Sequence, residues 1–328
     1  MHRVQRRQFL VRSIALALLA SSRAEAQPRT YRIGHLSANA NAATAHLQKA
    51  LVDSLEELGY REGRNLVVER RFADGRLERL PALAAELVAL KPDVILAGGS
   101  QATLATSKAT STIPCVFVGV SDPVGSGIVK SLSRPGTNAT GLSGQTSELQ
   151  SKRLQILKEV FPSASRVAVL HNPLNAAEVP MLTTIKEACK ALGLELRVVG
   201  ANSEQELGLA FKTLEMERPD VLYVIESPLT LANRARIVEF ANRVRLPSMY
   251  GFHEFADAGG LMSYSYSLLE HFRAAAGYID KILKGAKPAD LPVQQPTRFE
   301  LVLNQKTAKT MGVKFPAAIL LRADRVIE

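Results

Sequence analysis

The sequence predicts an α/β fold of two doubly wound, parallel-sheet (Rossmann-like) lobes around a central cleft, and three observations carry that prediction. First, a strand grammar is stated twice. Residues 91–100 read Lys-Pro-Asp-Val-Ile-Leu-Ala-Gly-Gly-Ser, and residues 218–227 read Arg-Pro-Asp-Val-Leu-Tyr-Val-Ile-Glu-Ser. In both, a basic residue and Pro-Asp end a helical pattern, and a short aliphatic run follows. Such runs, closed by small or polar residues, are buried strands of a parallel sheet. Second, the echo extends to both sides: 32–39 answers to 166–173, and 113–122 answers to 246–254. Third, the strands alternate with helical periodicity, and right-handed crossovers then place helices over the faces of a parallel sheet.

The elements follow in order. After a strand at 32–37, Leu47, Leu51, Leu55 and Leu58 mark a helix over 42–58 that Gly59 ends. Residues 65–72 alternate Leu66, Val68, Arg70 and Phe72, a strand with one wet face. A helix over 79–90 tolerates Pro81 near its start, where the missing N–H is harmless. A strand at 93–97, a helix at 101–109 and a strand at 113–120 come next. Gly125-Ser126-Gly127 reads as a turn before a helix at 128–132. The Gly/Ser/Thr-rich passage 134–147 is a candidate crossing between lobes.

The second half brings a helix at 148–160, a strand at 166–170, a helix at 179–192 and a strand at 194–199. Ser203-Glu204-Gln205-Glu206 is a capping box that opens a helix over 204–217. A strand at 220–225, a helix at 230–244 and a strand at 247–251 close the copy. The tail does not repeat: a strand at 261–266 precedes a helix with Phe272, Ala276, Ile279 and Leu283, ended by Gly285. A proline-rich extended passage, 288–297, leads to a strand at 299–303 and a helix at 305–311. Pattern alone does not assign this tail to a lobe.

Composition excludes several classes. At 328 residues, 46% hydrophobic and 22% charged, the chain has length for two real cores. Residues 1–26 hold five Arg against one Glu, so much of the formal charge of +10 leaves with them. The rest carries no basic block, and nucleic-acid binding has no support. Arg3, Arg6, Arg7 and Arg12, the apolar run 13–20 and Ala24-Glu25-Ala26 form an export signal, with cleavage expected after Ala26. Arg6-Arg7-Gln8-Phe9-Leu10 resembles a twin-arginine motif; a general secretory signal is the alternative. No apolar run reaches the ~18 residues of a membrane span. The expected product is soluble, not membrane-spanning and, in a two-membrane bacterium, periplasmic. Cys115 and Cys189 read as isolated small apolar residues rather than a disulfide framework.

In open parallel sheets ligands bind beyond the carboxyl ends of the strands, beside helix N-termini. That rule nominates six loops: Ser37-Ala38-Asn39, Gly99-Ser100-Gln101 and Ser121-Asp122, with His171-Asn172, Glu226-Ser227 and Tyr250-Gly251-Phe252 as counterparts. Ser100 and Ser227 stand where helix N–H groups hold a carboxylate. Asp122 or Glu226 can pair an amine, and Tyr250, Phe252 or Tyr264 can stack on a ring. The set suits a small zwitterion, although each residue has the plainer reading of a turn or cap. No catalytic residue is expected. Gly119-Val120-Ser121-Asp122-Pro123 begins like a nucleophile elbow but has Pro123 where Gly is required. His171 and His253 serve as bases only if the cleft joins them. The histidines lack metal-ligand spacing, and Gly125-Ser126-Gly127 lacks the third Gly of a dinucleotide loop, so neither metal nor cofactor is expected.

Several runs carry a family resemblance. They are Glu57-Leu58-Gly59-Tyr60, Thr112-Ile113-Pro114, Ser121-Asp122-Pro123-Val124-Gly125, 259–264, 278–293 and Phe299-Glu300-Leu301-Val302-Leu303-Asn304. Together they resemble the solute-binding proteins of one ATP-binding-cassette transporter family, some of whose members are assigned tryptophan or tyrosine uptake. The resemblance implies the type I periplasmic-binding-protein fold, two lobes joined by three crossings and closing on ligand. It gives 27–143 plus 258–289 to the N-terminal lobe and 144–257 plus 290–328 to the C-terminal lobe. It favours Ser100, Ser121, Asp122, Asn172 and Ser227 as ligand contacts. Members often carry Asp or Thr near the position of Glu226, so an aromatic amino acid is not inherited with the fold. The implied partners are a small-molecule ligand and the membrane permease and ATPase of an importer, met by a monomer. A sensory module docked on a membrane kinase or chemoreceptor is the alternative.

Overall fold

The computed structural model describes residues 29–144 and 146–328. The export-signal reading falls on residues 1–26 and lies outside the described residues. Two sheets form. The first contains β1 (Tyr31–Ser37), β2 (Leu66–Phe72), β3 (Val94–Gly98), β4 (Cys115–Val120) and β5 (Ala139–Ser143), all parallel, in the order β2-β1-β3-β4-β5. The second contains β6 (Arg166–His171), β7 (Glu195–Gly200), β8 (Val221–Val224), β9 (Ser248–Tyr250), β10 (Met262–Ser265), β11 (Glu300–Asn304) and β12 (Arg325–Ile327). Its order is β12-β11-β10-β9-β8-β6-β7, with β10 and β11 antiparallel. The run β7-β6-β8-β9-β10 repeats the first sheet's order, so the three echoed sequence pairs occupy equivalent strands: β1 and β6, β3 and β8, β4 and β9.

The repeated basic-Pro-Asp signature has a mechanical meaning. Lys91 and Arg218 both take the left-handed conformation (φ 48°) that turns the chain out of the preceding helix. The aspartates then tie the start of the neighbouring strand: the Arg32 N–H donates to Asp93 Oδ2, and the Arg166 N–H to Asp220 Oδ2, both at 2.8 Å. Hydrogen bonds from the Ser165 and Arg166 backbone hold the Asp220 carboxyl down to about 2. The strands that follow are buried along their whole length, as central strands covered on both faces must be.

Helices cover the sheets. In the first lobe α1 (Asn41–Glu57) packs on one face; α2 (Leu80–Ala89) and α3 (Ser100–Ala109) pack on the other. In the second, α4 (Thr146–Val160) and α5 (Glu178–Ala191) oppose α6 (Glu204–Glu217), α7 (Pro228–Ala232) and α8 (Arg234–Arg243). Ser203 caps α6 through the N–H of Glu206, as its capping box predicts. The expected helix at 230–244 is divided by Asn233, whose amide donates to the Leu229 carbonyl between α7 and α8. Three short elements carry no sequence signal read above: α9 (His253–Asp257), α12 (Ala317–Leu320) and β12.

Other expectations are corrected. No helix forms over 128–132; the Ile128 and Val129 N–H groups turn back to the Pro123 carbonyl and their side chains enter the core. The passage 134–147 holds β5, with the crossing after Ser143. Gly141 lets β5 lie against β4: at φ 148° an added Cβ would press into the Phe117 carbonyl oxygen. Gly141→Ala is expected to cost about 1–3 kcal/mol by this strain, read as a lower urea midpoint; an unchanged midpoint counts against the close approach.

The return expected at 258 comes later, because β10 hydrogen-bonds to β9 and β11 in the second sheet. The return to the first lobe begins with α10 (Leu268–Leu283), which places Phe272 and Ile279 against Leu47 and Leu51 of α1. Residues 290–294 remain with the first lobe rather than the second. Val293 is buried in its core, and Gln294 exchanges backbone hydrogen bonds with Gly141 and Ser143. β11, α11 (Gln305–Met311) and β12 complete the second lobe.

Candidate functional site

The carboxyl ends of both sheets open on one cleft of about 730 Å³, open solvent at its mouth included. Eight of the nominated residues line it: Ser37, Asn39, Gly99, Ser100, Gln101 and Ser121 from the first lobe, and Glu226 and Ser227 from the second. Phe252 lines it too. The strand-end rule works because each parallel strand hands over to a helix at the same end of its sheet, and the lobes present those ends to each other.

Four nominated residues lie elsewhere. Asp122 is exposed, and its carboxylate turns back to accept the Gly125 N–H at 2.7 Å. Asn172 accepts the Leu174 N–H at 3.0 Å and faces an adjoining groove. Tyr250 is fully buried in the second core, stacked on Phe255 at 4.7 Å. Tyr264 packs on Phe299 at the edge of the other core. These last two follow the inward face of their strands rather than the strand ends.

Ser100 and Ser227 differ in their use. Ser227 caps α7 in a reciprocal box with Thr230, so its hydroxyl is committed to the helix. Ser100 begins α3, whose first turn no side chain caps; its Oγ accepts the Ser121 N–H at 3.2 Å. No histidine lines the cleft among the described residues. No group of three or more His, Cys, Asp or Glu able to hold a metal ion stands among the described residues.

The apolar wall was not foreseen. Leu47 of α1, Leu268 and Phe272 of α10, Val118 of β4, Met181 of α5, Leu231 of α7 and Tyr266 line the cleft. Tyr266 lies where the chain crosses back between lobes, stacked on His271 at 4.5 Å. Its hydroxyl lies against Gly119, which is left-handed at φ 72° at an irregularity in β4; a Cβ there would be 3.1 Å from that oxygen.

A buried polar network underlies the second-lobe wall. Arg153 of α4 has no exposed surface, and its Nη1 lies 2.8 Å from both Glu226 oxygens. Its Nε donates to the Tyr264 carbonyl at 2.7 Å, Nη1 to the Tyr223 hydroxyl at 3.0 Å, and Nη2 to the Gly251 carbonyl at 3.0 Å. Burial opposes the guanidinium charge, but Glu226 and Tyr223 beside it hold the proton more tightly than usual.

Behind the same wall Glu178 accepts the Asn172 N–H and the Asn175 amide, each at 2.8 Å. Burial pushes its carboxyl up to about 8 against those hydrogen bonds, and the charge of Glu226 pushes the same way. Asn175 reaches the cleft, where its Oδ1 accepts from Gln101 Nε2 of the opposite lobe. His46 and Glu254 make a second contact between lobes at 3.5 Å.

Comparison with known proteins bears on this geometry. Residues 40–327 match the family described as ABC transporter substrate binding protein. The tyrosine-binding protein of Clostridioides difficile (strain R20291) is 26% identical over 267 residues, 81% of this chain and 76% of that protein. A conserved domain protein from Vibrio cholerae O1 biovar El Tor superposes with a TM-score of 0.84 at 27% identity, covering 91% of this chain and 100% of that one. The ABC domain from Streptococcus pneumonia in complex with L-Trp superposes at 0.82 with 23% identity, over 91% and 100% of the two chains, a likeness of fold.

Proposed function

We infer the function from one premise: this chain belongs to the ABC transporter substrate binding protein family, whose members bind solutes and catalyse no reaction. We propose that it is the extracytoplasmic receptor of an importer, exported to the periplasm with its leader removed after Ala26. It takes a small polar or aromatic metabolite, of amino-acid-like size, between its lobes and presents the closed form to the permease and ATPase. The observation that supports this reading is a cleft walled by strand ends of both lobes, with serine and amide groups around an apolar surface.

The mechanism follows from where the contacts fall. A solute touching Ser100 and Phe272 on one lobe and Ser227 and Phe252 on the other gains its full binding energy only when the lobes meet, and this difference drives closure. Contacts to one lobe alone, equal in both states, shift nothing. Gln101 and Asn175 add an inter-lobe hydrogen bond to the closed arrangement.

Thermal denaturation against amino acids, nucleosides and organic acids tests the reading. The tyrosine-binding relative and the L-Trp complex put aromatic amino acids first in that panel. A true ligand at about 100 times its Kd adds about 2.7 kcal/mol of stability and raises the midpoint accordingly. A midpoint unmoved by every member counts against a receptor.

A further inference from the structure

We propose that the solute held in this cleft carries no free ammonium group, and is an uncharged or anionic compound rather than a free amino acid. The proposal deepens the receptor reading above and rests on it. Its basis is the inventory of charge. Among the described residues lining the cleft, Glu226 is the one acidic side chain, and no Lys or Arg lines it. Both Glu226 oxygens already face the buried guanidinium of Arg153 at 2.8 Å. The pair sums to no net charge.

The other acids nearby do not line the cleft. Glu254 faces His46 across the lobes at 3.5 Å. Asp122 is exposed and folded onto its own turn. Glu178 lies behind Asn175 with both oxygens engaged by Asn172 and Asn175, and burial favours its neutral form. An ammonium entering the cleft gives up its hydration and meets a carboxylate whose attraction the guanidinium on its far side offsets in part. Serine hydroxyls and amide carbonyls can satisfy its N–H donors, but they supply no opposing charge. A carbonyl or hydroxyl carries no charge to desolvate, and a carboxylate, which also gives up hydration, finds donors in Ser37, Ser100 and Ser121 and in the first turn of α3, which no side chain caps. The apolar wall of Leu47, Phe252 and Phe272 takes a ring in either case.

The test needs no variant and so no assumption about folding. Isothermal titration of the purified wild-type protein at neutral pH compares three pairs of equal ring. They are L-phenylalanine with 3-phenylpropanoate, L-tyrosine with 3-(4-hydroxyphenyl)propanoate, and L-tryptophan with indole-3-propanoate. In every pair that binds, the deaminated acid is expected to bind about tenfold more tightly or better, a difference of about 1.4 kcal/mol. An amino acid that binds as tightly as its partner, or more tightly, overturns the proposal and leaves the receptor reading standing. If all six are silent, the hits of the wider thermal panel decide. A hit bearing a free ammonium overturns the proposal, and a hit without one supports it. Silence across that panel overturns the receptor reading and this refinement together.

Discussion

Replacing Arg153 by Met is expected to lower the unfolding free energy by about 3–5 kcal/mol, the usual cost of stripping one partner from a buried ion pair. The loss comes from what remains. Glu226 is left inside the second lobe without its guanidinium, and the carbonyls of Tyr264 and Gly251 lose their donors. Replacing both members, Arg153→Met with Glu226→Leu, is expected to restore most of that loss, because two apolar side chains of similar volume leave no buried charge. Urea unfolding of the two single variants and the double variant gives the coupling directly. A single variant within about 1 kcal/mol of wild type would show that water reaches the pair. The same network sets Glu226 and the turn at Gly251 on one wall of the cleft. The double variant therefore separates stability from binding: it should regain most of the lost stability yet present an altered site.

What could be read in the sequence divides along physical lines. Buried parallel strands announce themselves as short aliphatic runs, so β1, β3, β6 and β8 and their shared grammar were visible. β5 was not, since Gly141 and its threonine and serine neighbours have the composition of a loop; what makes it a strand is the Phe117 backbone beside it. The lobe boundaries in the tail were misplaced for a related reason. The periodicity of β10 shows a strand but not its partner, and hydrogen bonding to β9 rather than to the first sheet is a tertiary choice.

At the site, loop positions followed from strand polarity alone, whereas the aim of each side chain did not. Asp122 and Asn172 satisfy groups of their own turns, which short polar side chains do readily. Arg153 left a trace that could have been followed. It falls in the buried stripe of α4 with Leu149, Ile156, Leu157 and Val160. A charge at such a position implies a buried partner, although not which one; Glu226 is 73 residues away.

Glu178 carries the second large expectation, a fall in stability across mild alkaline pH that Glu178→Gln abolishes. In the folded protein its carboxyl is pushed from 4.5 up to about 8 by burial first, with the charge of Glu226 adding to it. Between those values the folded state binds more protons than the unfolded chain, so stability declines as pH rises. His35, enclosed by Phe72 and Phe272, and His271, stacked on Tyr266, act with the opposite sign. Burial lowers both from 6.5 to about 4, so the unfolded chain binds more protons in that interval and stability climbs with pH. Below about 6.5 the two effects oppose each other; above it the histidines are neutral in both states and Glu178 acts alone. Stability should therefore peak near pH 6.5 and fall by on the order of 2 kcal/mol toward pH 8. Urea midpoints for wild type and Glu178→Gln at half-unit steps measure this. Parallel curves above pH 6.5 would place an ionised Glu178 in the folded protein at neutral pH. The cleft's second-lobe wall would then carry a net negative charge that attracts a free ammonium, against the proposal above.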